Sequence, residues 1–475
     1  MATLALSAIR RRLADMPVVR VVAKATLVVS AFYALDKVAS LGLQFFIARA
    51  FGVGAELDAY NAANNLPDTL FLLISGGALN IAMIPLLRRE LEHHAHAGMW
   101  RLFAHIANLA FSATAILAVC IFLFAPVLVA EVVAPGFSSE QQALTVALMR
   151  LNLLAALIFS ISGLVMGSLQ VHQSFFWPGL APLMYDLGQM IGVIGLGPKL
   201  RLAESLGDLP VVGGPVAALL TSLSAALPDL GIFGLAWGVV LGAALHLAIQ
   251  VPGLLRNRFS WRLGFGLRDP AMREMLIILG PRVLTMACVA GIFIINDRYA
   301  SSLEEGAVSA LSFGWRIQQI PQTLIGTAIA VALLPSLSAL IANRETGDAV
   351  RLLRRALWVM LVLTVPITLV AIIGVPLVTD FVFDERAGLV ALVTQGYLVG
   401  LVGHCVKEVT TRTFYVHQDA RTPLLTAALN IALFSGLGWL LLGWLGPLAL
   451  AVANSLAFTL EAGVQWWLLR RRQWL

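Results

Sequence analysis

Residues 351–380 read RLLRRALWVMLVLTVPITLVAIIGVPLVTD. Residues 356–379 contain no charged side chain, and Arg351, Arg354, Arg355 and Asp380 bound the run. About 20 apolar residues in a helix cross the hydrocarbon core of a bilayer, so this stretch reads as a membrane span. It must be helical, because lipid offers no partner for a bare backbone N–H or C=O. Comparable runs bounded by charge, Gly or Pro recur on both sides of it. They predict about twelve spans, near residues 25–49, 57–86, 102–130, 144–169, 178–196, 231–253, 275–299, 307–338, 356–379, 388–406, 423–443 and 446–468. Residues 211–227 are also apolar, but Gly213, Gly214 and Pro215 interrupt them. There the expectation is an outer loop with a helix lying on or near the interface.

Composition agrees with this pattern. Of 475 residues, 59% are hydrophobic and 12% charged, against about 25% charged in a soluble globular domain. Strand-like alternation of apolar and polar residues is absent, which argues against a membrane β-barrel. The net charge of +6 comes from Lys and Arg clustered between apolar runs, a mark of membrane orientation and not of nucleic-acid binding. Cys120, Cys288 and Cys405 are scattered in or near apolar segments and are expected to be buried and inert. His93, His94 and His96 stand beside Glu90 and Glu92 and read as a solvated loop, with no accompanying metal-ligand pattern. No Gly-rich phosphate loop, nucleophile elbow or HExxH pattern is present, so the chain is not expected to be an enzyme.

With twelve spans and an inner N-terminus, the basic residues collect on one side. Lys407 and Arg412 count among them as loop residues, and only Lys199, Arg201 and Arg386 lie opposite. This bias predicts cytoplasmic N- and C-termini. The domain organisation expected is a segment 1–24, a six-helix bundle 25–253 with an outer loop 197–230, a linker 254–274, a second six-helix bundle 275–468 and a tail 469–475. The fold class is all-α and polytopic. Internal matches support two similar halves. Val171, His172, Gln173 and Pro178 recur as Val416, His417, Gln418 and Pro423, and Leu66, Pro67, Thr69 and Leu70 recur as Ile320, Pro321, Thr323 and Leu324. Six spans separate equivalent points, so the repeat is parallel, with its pseudo-twofold axis along the membrane normal.

Residues 47–86 read IARAFGVGAELDAYNAANNLPDTLFLLISGGALNIAMIPL. Further blocks follow in order: APGF at 134–137, PGLAP at 178–182, WRIQQIP at 315–321, LLPSLS at 333–338 and FYVHQDARTP at 414–423. Together they resemble the MurJ (MviN) family of the MATE-like exporter superfamily, over nearly all of residues 25–470. The resemblance implies a flippase for lipid II, the undecaprenyl-linked peptidoglycan precursor. Where that family usually has a Ser-Arg and then an Arg-Asp pair in the first span, this chain has Asp36 and Lys37, then Leu43 and Gln44. Asn65, Asp68, Phe71 and Gly76 replace the polar and charged residues frequent along the second span. Arg316 is kept, Gln319 replaces its acidic neighbour, and the usual final two helices have no counterpart here.

Charge at membrane depth costs at least ~2.5 kcal/mol and therefore tends to face a bundle interior or wet cavity. Lys37 and Arg316, from equivalent early spans, are expected to attract an anionic diphosphate, Arg through bidentate contacts and Lys as a compact charge. Asn65 and Gln319 would add hydrogen bonds, and Arg49 and Asp36 complete the substrate-binding candidates. Snorkelling to the interface is the competing expectation for Arg49. Asp36 and Lys37 point about 100° apart on a helix and need not pair. Asp58 is suited to capping the second helix, and Asp297 with Arg298 to a local ion pair or an interfacial anchor. The resemblance points to a sodium site near the seventh and eleventh spans, which Asp419 matches; Asp186, inside the fifth span, is the other ion-coupling candidate. Coupling to Na+, to H+ or to the membrane potential stays open.

The leading expectation is a flippase that carries a polyprenyl-diphosphate-linked cell-envelope precursor to the outer leaflet by alternating access. A MATE-like small-molecule exporter and a transport-inactive scaffold for cell-envelope synthesis are the alternatives. The expected setting is a bacterial cytoplasmic membrane, with a lipid-linked anionic substrate, membrane lipids and cell-envelope synthesis proteins as partners. No cofactor, metal or nucleic acid is expected, and the chain is expected to be a monomer.

Overall fold

A computed structural model of the chain describes residues 17–75, 77–207, 226–383 and 386–475, with a few positions between 214 and 222. The described residues form helices and no strand. In chain order the helices are α1 (Pro17–Phe51), α2 (Ala55–Leu70), α3 (Gly77–Leu128), α4 (Ser139–Val171), α5 (Phe176–Ile191), α6 (Lys199–Gly207), α7 (Ile232–Ala248) and α8 (Val251–Arg256). They continue as α9 (Pro270–Ala300), α10 (Ala307–Pro321), α11 (Ala328–Ala342), α12 (Thr346–Val382), α13 (Ala387–Val399), α14 (Leu401–Val416), α15 (Arg421–Leu445) and α16 (Pro447–Arg471). Among the described residues, nine stretches are long and apolar enough to cross a membrane, or ten if the bent pair α13 and α14 is one span. These ten overlap ten of the expected spans. The other two, 25–49 and 57–86, fall on α1 and on α2 with the start of α3.

Proline breaks the helices at matched places. Pro67 lies inside α2 and is followed by a π turn, Phe71–Ser75; Pro321 ends α10 and is followed by another, Gln322–Thr327. Proline supplies no N–H and crowds the preceding carbonyl, so the regular ladder is interrupted and the helix bends.

The chain divides into two compact units. The first is built from the chain up to Ile47, from Ile74–Ala118 and from Leu151–Ile277. Close backbone packing joins α5, with its terminal π turn Gly192–Leu196, to α7. Gly188 and Gly192 face Gly242 and Gly238 so closely that a Cβ on either would stand 2.3 to 2.4 Å from the opposing Cα. Small residues four apart let two backbones meet in this way, which replaces the hydrophobic drive that lipid does not supply. Gly238→Leu is therefore expected to cost ~3 kcal/mol or more through overpacking, read as a lower melting temperature in detergent and a loss of monodisperse protein.

Residues 254–274, expected as a linker, are strapped to α3 in this unit. The Trp100 indole donates to the Asn257 carbonyl at 2.9 Å, the Asn108 amide donates to the carbonyls of Arg262 and Gly264, and Arg89 pairs with Glu274 at 2.6 Å. Lys199, expected in an outer loop, is buried and donates to the Leu227 carbonyl at 2.6 Å. A cation out of water needs such acceptors. Most of residues 211–227 lie outside the described residues.

The second unit comprises Ala48–Leu73, Val119–Arg150 and Ile278–Leu475. A core of Leu353, Leu357, Met360, Leu401, Val409 and Phe414 packs α12 against α14.

Three expectations are corrected at this level. The stretch around His93, His94 and His96 is helical, with a break at His94 and Ala95 where φ reaches 53° in the second, although the three side chains are exposed as expected. Cys120 is exposed and only Cys405 is buried, because an apolar span turns part of its surface outward to lipid. Lys407 is no loop residue: α14 runs on to Val416, and the ammonium pairs with the buried Glu461 of α16 at 3.1 Å. Glu461 also accepts from Thr426 at 3.1 Å and Asn430 at 2.8 Å. A carboxylate so satisfied allows both charges to stay inside the helical packing.

Candidate functional site

Within the second unit a cavity of about 430 Å³ opens among α2, α9, α10, α13 and α16. That lies in the ~300–1,000 Å³ range of small-molecule sites. The spacing of its polar residues explains why they meet. Asn61, Asn64, Asn65 and Asp68 stand at i, i+3, i+4 and i+7 of α2, on one helical face, and all line the cavity. Arg316 and Gln319, one turn apart on α10, line it too. From α9 come Asn296 and Asp297, and from α13 and α16 Tyr397, Asn454 and Phe458.

Hydrogen bonds hold this polar lining in place. The Asn65 amide donates to Asp297 at 2.7 Å and the Asn296 amide to its other oxygen at 3.3 Å. The Asn61 amide donates to the Ser309 hydroxyl at 3.3 Å. Arg316, largely exposed into the cavity, acts electrostatically on Asp68 and Tyr60. The result is a pocket in an apolar surround whose lining carries one cation, two carboxyl groups and several amides.

Above it, the helix starts are tied reciprocally. Asp58, expected to cap α2, instead accepts from the Gly306 and Ser309 amides at 2.6 and 2.7 Å and from the Ser309 hydroxyl at 2.6 Å, capping α10. Glu305 in turn accepts from the Ala55 amide at 3.0 Å at the start of α2. Each carboxylate meets the unpaired N–H groups and positive dipole end of the other helix. Asp58→Ala is expected to lower stability by about 2 kcal/mol or more, since it strands buried donors. Thermal melting should show the loss, with Asp58→Asn recovering part of it.

The predicted residues separate as follows. Arg316, Asn65 and Gln319 share the cavity. Arg49 belongs to the same unit but is half-buried and donates to the Phe381 carbonyl; the unpaired carbonyls ending α12 offer an acceptor nearer than the interface. Asp36, Lys37 and Asp186 belong to the first unit. Lys37 folds back onto Asp36 at 3.5 Å and is otherwise exposed, so these neighbours do pair, because the long Lys stem spans the angle between them. Asp186 is buried in α5. Asp297 and Arg298 do not pair: Asp297 turns to the asparagines, while Arg298 donates to the Glu131 carbonyl. Their adjacency on α9 sends them to different faces. Asn61 and Asn296 are site residues that had not been singled out, and Asp68 and Asp297 had been named without a place in the site. The signal for Asn61 and Asp68 was a polar stripe at helical spacing inside an apolar run.

Asp419 precedes α15 and accepts from the Thr422 hydroxyl at 2.6 Å, from the Arg421 and Thr422 amides at 3.0 Å each, and from Arg472. Burial alone would raise its pKa, but the Thr422 bonds and Arg472 outweigh it and hold the carboxyl at about 2. A depressed acid stabilises the fold above its ordinary value near 3.8, and that contribution is lost as pH falls toward 2. Asp419→Asn is thus expected to lower the melting temperature at pH 7 and to make no difference at pH 2.

Apolar spans broken at prolines, with a charged and amide-rich cavity between helices, define a multi-pass membrane transporter. The model described as "Lipid II flippase MurJ" matches residues 47–475, and the chain belongs to that family. A lipid II flippase MurJ of Burkholderia cenocepacia is 27% identical over 84% of this chain and 74% of its own length. Among solved structures, a lipid II flippase MurJ in an inward closed conformation superposes with a TM-score of 0.74 at 17% identity, covering 94% of this chain and 89% of its own. An inward-facing multidrug resistance MATE family transporter gives 0.72 at 15% identity, over 92% and 94%. These two similarities concern the fold.

Proposed function

We propose that this protein moves a polyprenyl-diphosphate-linked cell-envelope precursor of the lipid II type from the inner to the outer leaflet by alternating access. The observation that carries this is Arg316, a cation exposed within an amide-lined cavity in a chain of this family. A diphosphate is doubly anionic at neutral pH, and a guanidinium binds it through two parallel hydrogen bonds. Asn65 and Gln319 would orient the bound group, while Lys37 and Asp36 act elsewhere along its path. The same proposal includes the two parallel six-helix bundles 25–253 and 275–468, cytoplasmic termini, and action as a monomer beside the enzymes of cell-envelope synthesis. A gradient of Na+ or H+, or the membrane potential, would drive the cycle, with Asp186 and Asp419 as the coupling candidates.

The test is reconstitution. Purified protein in liposomes holding a fluorescent lipid II analogue should bring the label to the leaflet reached by an added quencher. No transfer under a sodium gradient, a proton gradient or an imposed potential would sink the proposal.

A further inference from the structure

Lys407 and Glu461 do not line the cavity, and nothing in the proposed transport cycle uses them. Their meeting is set by glycines. A Cβ on Gly400 would stand 2.5 Å from the Ser455 hydroxyl oxygen, and one on Gly403 would be closer still to that of Thr459, so α14 starts in near contact with α16. Lys407 follows Gly403 by one turn on the same face of α14. There its stem reaches across to the carboxylate.

Glu461 is fixed before the lysine is counted. One carboxylate oxygen accepts from the Asn430 amide of α15 at 2.8 Å, and the other from the Thr426 hydroxyl at 3.1 Å and the Gln465 amide at 3.4 Å. Gln465 is itself held by the hydroxyls of Thr410 and Thr411, at 2.6 and 3.0 Å. The Asn430 carbonyl oxygen is buried with no partner among the described residues. Glu408 is already paired with Arg412 at 3.1 Å. The ammonium enters this frame at 3.1 Å from Glu461 and 4.2 Å from the face of the Phe458 ring. The Lys407 side chain is 22% exposed and that of Glu461 1%, so the cation comes in from the edge while the carboxylate lies within.

These surroundings select a class of cation. A hard divalent ion takes about six or more oxygen ligands at short range. One carboxylate at 3.1 Å with an aromatic face opposite suits a larger monovalent cation of the ammonium type.

We propose that α14, α15 and α16 form a primary-ammonium site around Glu461, which the protein fills with its own Lys407. Because the ligand is covalently attached, the second unit keeps its cation whatever ions surround it. A small free amine becomes the ligand once the lysine is shortened, since the glycine contacts keep the vacated space from collapsing fully. The inference is independent of the cargo and stands or falls without it.

The test is thermal melting in detergent with methylammonium chloride, ionic strength being held constant with N-methylglucamine chloride. Lys407→Ala should melt below the wild type, and methylammonium at about 100 times its Kd should raise its midpoint saturably by about 5 °C. Potassium should do less, and sodium least. The wild type should not respond, nor should Lys407→Met, whose side chain fills the same space. Adding Glu461→Gln to Lys407→Ala should abolish the response. Lys407→Ser is the second truncation and decides if Lys407→Ala yields no folded protein. A folded truncation that ignores methylammonium would overturn the site, as would an equal response in Lys407→Met or in the Glu461→Gln double variant. Failure of both truncations to fold even with methylammonium present throughout purification would overturn it too. A larger shift with sodium than with methylammonium would overturn the ammonium class.

Discussion

Arg316→Ala is expected to reduce transport in proteoliposomes roughly 100-fold or more while leaving the protein folded. Cargo seated over Arg316 would bury the contact, and removing one member of a buried charged contact costs about 2–5 kcal/mol, each ~1.4 kcal/mol being a factor of ten. Arg316 faces the cavity and does not belong to the core that packs α12 against α14, so melting should change little. Arg316→Lys keeps the charge but not the paired donors and should recover transport only in part. A competing explanation is that the guanidinium merely balances Asp68. Adding Asp68→Asn to Arg316→Ala separates the two, because a balancing role predicts recovery in the double variant. Persistent loss in that variant assigns the cation to cargo.

Lys407→Met should be the most destabilising single change at a charged residue, by about 3–5 kcal/mol, because it leaves a buried carboxylate unpaired. Glu461 has 1% of its side chain exposed, and its bonds to Thr426 and Asn430 do not replace the lost cation. Lys407 also lies 4.2 Å from the Phe458 ring. In the Lys407→Met background, Glu461→Gln should restore most of the stability, since removing both charges removes the penalty as well as the pair. Differential scanning fluorimetry on the two single variants and the double variant would check this. Equal losses in the single and double variants would show that packing around the Lys stem, and not charge, sets the cost.

Much of this architecture was legible before any coordinates. The apolar runs reported the spans, since a helix is the one continuous structure whose backbone needs no outside partner in lipid. The matched prolines, Pro67 and Pro321, reported where two helices break, because the missing N–H is a local property. Arg316, Asn65 and Gln319 stood out as polar residues that lipid would not tolerate, and they do share a cavity. Partners were not legible. Asp58 was suited to its own helix yet caps another, and Asp297 passes over the adjacent Arg298 for Asn65, distant in the chain. Lys407 looked like a loop cation because its partner, Glu461, lies on a different helix.

The sequence by itself determined that this chain is helical and spans a membrane repeatedly, because length and transfer energy act on each segment alone. It also determined which side chains had to find shelter. Tertiary structure decided who shelters whom: the crossing of α5 and α7 at paired glycines, the exchange of caps between α2 and α10, and the cavity lined from α2, α9, α10, α13 and α16. Such contacts join residues far apart in the chain. Their energies depend on distances of a few ångströms that no single helix contains.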